Sequence, residues 1–276
     1  RLDQMTKEGV VFETGVLIGE DLSAQYLRRK FDAVLMTTGA GEPRDLTVPG
    51  RDLTGIHYAM DFLVRSNRVI GGEIGADQLI SARGLNVLVI GGGDTGADCV
   101  GTSIRQGAAK VTQVEIMPKP REWQEAYNPS WPNWPFILRT SSSHEEGCRR
   151  DWSIQTRQFT GRNGRVTAVD CVRVEQKTDD KGRPQFVDVP GSEFTIPADL
   201  VLLAMGFLHV KHDRLLEDFG VQFDPRGNIK TDGNYATSVP GLFAAGDAFM
   251  GASLVVRAIF HGREAAGTID RYLTPA

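Results

Sequence analysis

The chain has 276 residues, 41% of them hydrophobic, and a formal net charge of −4. That is enough for one large or two medium domains, and the mixing of acidic and basic residues argues against nucleic acid as the main partner. No apolar run approaches a membrane span, and the opening RLDQMTKEGVVFETG has neither the h-region of a signal peptide nor an initiator Met, so a fragment of a cytoplasmic protein is expected.

Cys99, Cys148 and Cys171 lie far apart, with no C-x-x-C pair. They do not form a redox dithiol or the usual four-thiolate set for an iron–sulfur cluster. Each is expected to be a buried or incidental thiol.

Val10 to Ile18 is predicted as a strand with a Thr-Gly interruption. Asp21 or Ser23 can cap a short helix through Lys30. Ala33 to Thr37 is a continuous apolar run of strand length, typical of a strand buried on both faces, and it ends at Gly39. His57 to Arg65 reads as helical, and Ile70 to Leu85 as a Gly-rich linker.

Asn86 to Gly107, NVLVIGGGDTGADCVGTSIRQG, is the most informative stretch. A Val/Ile/Leu-rich strand runs into Gly91-Gly92-Gly93-Asp94-Thr95-Gly96, and an amphipathic helix follows. This is the order a dinucleotide pyrophosphate needs. Gly91 allows the tight turn, Gly93 lets the backbone approach the phosphates, and Gly96 lets helix and strand pack closely. The free N–H groups at the helix start face the anion. An ordinary tight strand–helix turn is the alternative. Ala97, Val100 and Ile104 share one helix face, and Gly107 suits the C-terminal cap.

Lys110 to Met117 is predicted as the second strand, with the adenosine ribose at its end. Glu115 is placed to accept from a 2′-hydroxyl and favours NAD, whereas Lys119 and Arg121 could bind a 2′-phosphate and favour NADP. Solvated surface charge is the alternative for all three. Glu122 to Pro135 contains Trp123, Trp131 and Trp134 among three prolines, which rule out a continuing helix. It is read as an ordered loop anchored by tryptophans, or as a lid or partner-docking surface. His144 has no second His at metal spacing and is expected at the surface.

Residues Ile154 to Gln176 alternate, with Asn163-Gly164 as a hairpin signal. Asp179 to Gly182 marks another turn, and Phe186 to Val189 and Glu193 to Ile196 add short strands. An antiparallel meander is the simplest picture. DLVLLAMG at Asp199 to Gly206 echoes DAVLMTTG at Asp32 to Gly39, which suggests two related nucleotide domains. Near the end, Leu242 to Ala245 is a short strand before Gly246-Asp247. A long helix is expected after it, with Leu254, Val255, Ala258, Ile259, Gly262, Ala265, Ala266 and Ile269 on one stripe. Asp247 can bind a ribityl hydroxyl beside a helix N-terminus, or simply cap the final helix.

TTGAGEPRDLTVPG, GGGDTGAD, and SVPGLFAAGD followed by GASLVVRAIFHGREAA together resemble the flavoprotein reductases with two dinucleotide-binding domains. GTSIRQGAAKVTQVEIMPKPRE, the W-P-x-W-P segment at 131–135 and the SSSHEEG run are similar to the small (β) subunits of glutamate synthases. The likeness covers essentially the whole chain. It implies an α/β fold of two Rossmann-like three-layer domains with a small antiparallel meander. An NAD(P)H domain (66–215) would be inserted into an incomplete FAD domain (1–65 and 216–276) whose own glycine turn lies upstream.

The resemblance further implies that NADPH or NADH binds over Gly91 to Gly96 and reduces FAD. Electrons then pass through iron–sulfur clusters of an N-terminal region to the large (α) subunit, where glutamine and 2-oxoglutarate yield glutamate. Gly39 matches the strand end at the FAD/NAD(P) junction. Gly246 and Asp247 match the FAD ribityl motif, and Ser253, Leu254 and Val255 the flavin-facing helix start. A related reductase feeding ferredoxin or a sulfur acceptor, and a non-catalytic nucleotide- or partner-binding fragment, are the alternatives.

Overall fold

The computed structural model describes residues 1–122, 137–179 and 182–274. The chain divides into two units, Arg44–Gly206 and the two flanking stretches Arg1–Pro43 and Phe207–Ala276. The joins fall at 43/44 and 206/207, not at the expected 65/66 and 215/216. The reason lies in the strand at Ile56–Tyr58, which pairs in parallel with Leu200–Leu203 of the second unit's sheet.

The first flanking stretch holds α1 (Leu2–Lys7), α2 (Ala24–Lys30) and β1 (Val34–Met36). Ser23 is the cap of α2, its hydroxyl accepting the Tyr26 N–H at 3.1 Å. Asp21 instead accepts from the Leu17 N–H at 2.7 Å. The strand expected over Val10 to Ile18 does not form; the stretch has no regular structure, and Val11 is 78% exposed. Its β propensity has no neighbouring strand to act upon.

The second unit runs β2 (Ile56–Tyr58), α3 (Ala59–Ile70), β3 (Asn86–Ile90), α4 (Asp94–Arg105) and β4 (Lys110–Val114). Then come α5 (Ser142–Glu145), β5 (Arg149–Asp151), β6 (Ile154–Arg162), β7 (Arg165–Thr178), β8 (Pro184–Asp188), β9 (Phe194–Pro197) and β10 (Leu200–Leu203). A five-stranded sheet has the order β2-β10-β3-β4-β5, parallel throughout. Successive residues of a strand point to opposite faces, and β3 uses both. Val87 and Val89 pack with Phe62 of α3 and Val100 of α4. Leu88 and Ile90 pack with Ile154, Phe159, Val166 and Val169 of the antiparallel sheet. The unit is therefore three layers, with the parallel sheet buried on both sides.

The antiparallel sheet is not a simple meander. Asn163 and Gly164, at φ 54° and 74°, turn β6 back into β7 as expected of an Asn-Gly hairpin. However, β8 and β9 both pair with β7, along successive parts of its 14 residues. The two sheets are tied where Arg173 of β7 donates to both carboxylate oxygens of Asp151 at 2.7 and 2.8 Å, and to the Trp152 carbonyl at 2.8 Å.

Returning to the flanking unit, the chain adds α6 (Arg214–Phe219), β11 (Leu242–Ala244), α7 (Asp247–Met250) and α8 (Val255–Leu273). Strand β11 pairs in parallel with β1 to make a two-stranded sheet. Leu215, Leu216 and Phe219 of α6 pack beneath Met36, Leu242 and Ala244. The echo strands β1 and β10 thus each join a parallel sheet of their own unit, and each is followed by a left-handed glycine, Gly39 at φ 75° and Gly206 at φ 80°. The long terminal helix is broken into α7 and α8, with Gly251 at φ 86° between them. Its expected core stripe is largely uncovered: Leu254, Val255 and Ile259 are more than half exposed, while Ala265 and His261 are buried. No helix among the described residues is long and apolar enough to cross a membrane.

Two stability consequences follow from this packing. Phe62 is fully buried, and Phe62→Ala is expected to lower unfolding free energy by about 3–5 kcal/mol in urea titrations. Asp151 is held below the usual carboxylate range, chiefly by its hydrogen bonds from Arg173. A depressed carboxylate contributes stability at neutral pH that is lost as pH falls through its folded-state value. Asp151→Asn should therefore be less stable than the parent at neutral pH, and the two should converge on acidification. A constant difference between their urea midpoints would contradict this.

Candidate nucleotide site

At the end of β3 the chain makes a turn that only small residues fit. Gly91 lies at φ 123°, and a Cβ there would sit 2.1 Å from the Ala204 carbonyl oxygen. A Cβ on Gly96, in the first turn of α4, would meet the Gly91 carbonyl oxygen at 2.3 Å. A Cβ on Gly92 would fall onto the Glu115 carboxylate. Gly91 and Gly96 are demanded by the fold itself, whereas at Gly92 the Glu115 side chain would have to swing away.

Gly93 differs. Its φ of −77° suits any residue, and a Cβ there would meet nothing within 4 Å. Gly93 precedes α4, whose first N–H groups have no intrahelical partner and whose dipole favours an anion. The open space over Gly93 is thus of the kind a phosphate group fills.

Two cavities share this turn. One, of about 570 Å³, is lined by apolar groups including Leu46, Val48, Ile154 and Met205, together with Arg44, Thr95 and Gly91 to Gly93. The other, of about 440 Å³, is lined by Asp94, Arg139, Ser141, His144 and Arg150 among others. Gly92, Gly93, Glu115 and Met117 border both. Glu115 is half-buried, and burial raises its pKa while Arg150 opposes the rise. The Arg150 guanidinium lies 3.9 Å from the Glu115 carboxylate and 5.1 Å from the centre of the Trp152 ring.

Of the two bases expected at this edge, Lys119 is paired with Glu122 at 3.4 Å and lies 5.5 Å from the centre of the Trp152 ring. Arg121 bridges to Ile137. Neither lines a cavity described here; Arg139 and Arg150 do, and nothing local in the sequence marks them. The Trp123/Trp131/Trp134 segment lies outside the described residues.

His144 is not the surface residue expected from its charged neighbours. It is half-buried and bonded through Nε2 to Gln113 Oε1 at 2.9 Å. Burial, with Arg150 adding to it, lowers its pKa. Gln113 is 1% exposed and donates to the Gly91 carbonyl at 2.9 Å. The sequence offered one signal of this: a glutamine between Thr112 and Val114 in a strand, β4, that lies inside the parallel sheet.

In the flanking unit, Gly246 is buried at φ 68° after β11. Asp247 opens α7 and accepts from the Ser253 hydroxyl at 2.8 Å. It does not cap the final helix, where Leu254 holds the cap position. Leu254 and Val255 are 67% and 76% exposed. Burial pushes the Cys99 and Cys171 thiols up to about 12. Among the described residues no group of three or more His, Cys, Asp or Glu is arranged to hold a metal.

In fold, the chain is similar to Mycobacterium tuberculosis FprA in complex with NADPH, at TM-score 0.65 and 19% identity, over 94% of this chain and 66% of that one. It is also similar to T. acidophilum thioredoxin reductase, at TM-score 0.55 and 22% identity, over 88% and 66%. In sequence it is 49% identical to the glutamate synthase [NADPH] small chain of M. tuberculosis, over 99% of this chain and 56% of the relative. For the Bacillus subtilis small chain the figures are 40%, 99% and 57%. The glutamate synthase [NADH] of Schizosaccharomyces pombe is 40% identical over 98% of this chain, which covers 13% of it. The chain spans a little over half the length of the small chains it matches. The family model for pyridine nucleotide-disulphide oxidoreductases matches residues 2–262, and the chain belongs to that family.

Proposed function

We propose that this chain is part of the electron-input subunit of a glutamate synthase, with residues 44–206 binding NADPH or NADH and the flanking unit forming part of an FAD domain. The observation that carries the reading is the Gly91–Gly96 turn, where the fold requires glycine at 91 and 96 and leaves Gly93 facing open space. Similarity to glutamate synthase small chains over nearly the whole chain supports the physiological role. The bound cofactors would supply hydride transfer from nicotinamide to flavin and onward passage of electrons to iron–sulfur clusters and the large subunit. The clusters would be held outside this chain, whose three cysteines are dispersed and buried or half-buried.

This chain's own residues bind and orient; hydride transfer needs no side-chain acid or base. Gly92 and Gly93, with the N–H groups of Asp94, Thr95 and Gly96, would hold the pyrophosphate. The adenosine ribose reaches Glu115, and the cavity carrying Arg139 and Arg150 takes the 2′-phosphate of NADPH. Arg150 beside Glu115 offsets the carboxylate charge that would otherwise repel that phosphate. In the flanking unit, Gly39, Gly246 and Asp247 face the flavin and its ribityl chain. The exposed apolar start of α8 at Leu254 and Val255, next to Ser253, would be the surface that flavin and the rest of the FAD domain cover.

Gly93→Val is expected to weaken nucleotide binding at least tenfold, about 1.4 kcal/mol, in a protein that still folds, since a Cβ there meets nothing within 4 Å. Equal affinity would refute the pyrophosphate placement. Arg150→Met should weaken NADPH about tenfold and NADH far less, a difference read by parallel titrations; equal losses would remove Arg150 from the 2′-edge. For the function as a whole, the protein purified with its upstream sequence should carry flavin absorbance that NADPH or NADH bleaches anaerobically. Absence of flavin there would sink the reductase reading.

A further inference from the structure

Gln113 is a buried polar side chain in the middle of β4, and such a group is costly unless every polar atom is bonded. Its bonds leave a single consistent arrangement. The Gly91 carbonyl is only an acceptor, so the amide nitrogen of Gln113 must face it, at 2.9 Å. The amide oxygen then faces His144 Nε2 at 2.9 Å, and that nitrogen must carry a proton. His144 Nδ1 is left to accept, and it faces the Ser141 N–H at 3.2 Å and the Ser141 hydroxyl at 3.0 Å. Ser141, His144, Gln113 and Gly91 thus form one hydrogen-bond chain with a single polarity, running from the loop before α5 to the glycine turn.

The far end of that chain is anchored. Helix α5 sits on α4, where Ser143 packs against Gly101 so closely that a Cβ on the glycine would meet its hydroxyl oxygen at 2.9 Å. Glu146 pairs with Arg105 of α4. His144 therefore holds a fixed position relative to the helix whose N-terminus faces the turn.

We propose that His144, acting through Gln113, is a positioning residue that aims the Gly92 N–H at the nucleotide pyrophosphate. The proposal rests on the nucleotide assignment above. The Gly91 carbonyl and the Gly92 N–H belong to one planar trans peptide and point in opposite directions. Gln113 pulls the carbonyl inward, beneath Gly96, so the N–H is aimed outward, toward the cavities that Gly92 borders. Between two glycines no Cβ restricts the ψ of Gly91 or the φ of Gly92 that set this peptide's orientation, so the bond from Gln113 is what selects it.

The test is a double-mutant cycle on the full-length flavoprotein, with NADPH and NADH as titrants and thermal melting in parallel. Gln113→Met and His144→Phe are each expected to raise the dissociation constant about tenfold, in the range of a lost bond to a charged group. The double variant should be no worse than Gln113→Met alone, because the histidine acts only through the glutamine. His144→Gln, which can donate to Gln113 from its amide, should recover most of the affinity. A double variant whose loss is the product of the single losses would overturn the relay. So would an unchanged affinity in both single variants, or His144→Gln behaving like His144→Phe. A parent protein that binds neither nucleotide would instead overturn the nucleotide assignment, and the relay with it.

Discussion

The structure of the second unit depends on how closely α4 approaches the end of β3. The Gly91 carbonyl oxygen occupies the place where Gly96 would carry a Cβ, and the Ala204 carbonyl occupies the place of a Cβ on Gly91. Strand β10 ends at the same level as β3, so three backbone segments converge with no side chain between them. Everything else in the unit can be built outward from that contact. Its two faces are closed by Phe62 and Val100 on one side and by Ile154 and Phe159 on the other. At the turn, backbone N–H groups of a long helix face an open cavity.

This convergence also separates two kinds of glycine that look alike in sequence. Gly91 and Gly96 are required whether or not a ligand binds, because substitution would drive a Cβ into backbone. Gly93 is under no such constraint, so its lack of a side chain must be explained from outside the protein's own packing. The glycine that says most about function is therefore the one that contributes least to the fold.

Legibility in the sequence tracked how local each feature is. The Asn163-Gly164 hairpin and the β3-turn-α4 unit were readable because adjacent residues dictate them. The supposed strand over Val10 to Ile18 failed because a strand exists only with a neighbour, and propensity carries no record of one. The placement of β9 against β7, rather than beyond β8, is a non-local choice of the same kind. At the site, Glu115 was legible from its position at a strand end. Arg150, 35 residues further on, was not, since it reaches Glu115 only through the parallel pairing of β5 with β4. His144 was misjudged for the opposite reason: its charged sequence neighbours point elsewhere, while its ring turns in to Gln113.

The two cavities beside the turn differ in chemistry, and under the assignment proposed here that difference orients the dinucleotide. The cavity bounded by Leu46, Val48, Ile154 and Met205 offers a planar ring apolar contact, with Arg44 as its one basic lining residue. The other has Arg139 and Arg150 beside a single pair of carboxylates, Asp94 and Glu115. A 2′-phosphate placed in the first cavity would lose its hydration with Arg44 as the one cationic side chain among the lining residues to meet it, a poorer exchange in a low-dielectric site than a pair of guanidinium groups offers. Placed in the second, it gains Arg150, while Glu115 accepts from a ribose hydroxyl. The reactive ring is thereby directed to the apolar side, next to Ala204, Met205 and Gly206 at the end of β10. That strand is the counterpart of β1, whose own glycine is assigned to the flavin. The two echo strands would then do the same thing in each unit, ending in a left-handed glycine against the reactive part of a cofactor.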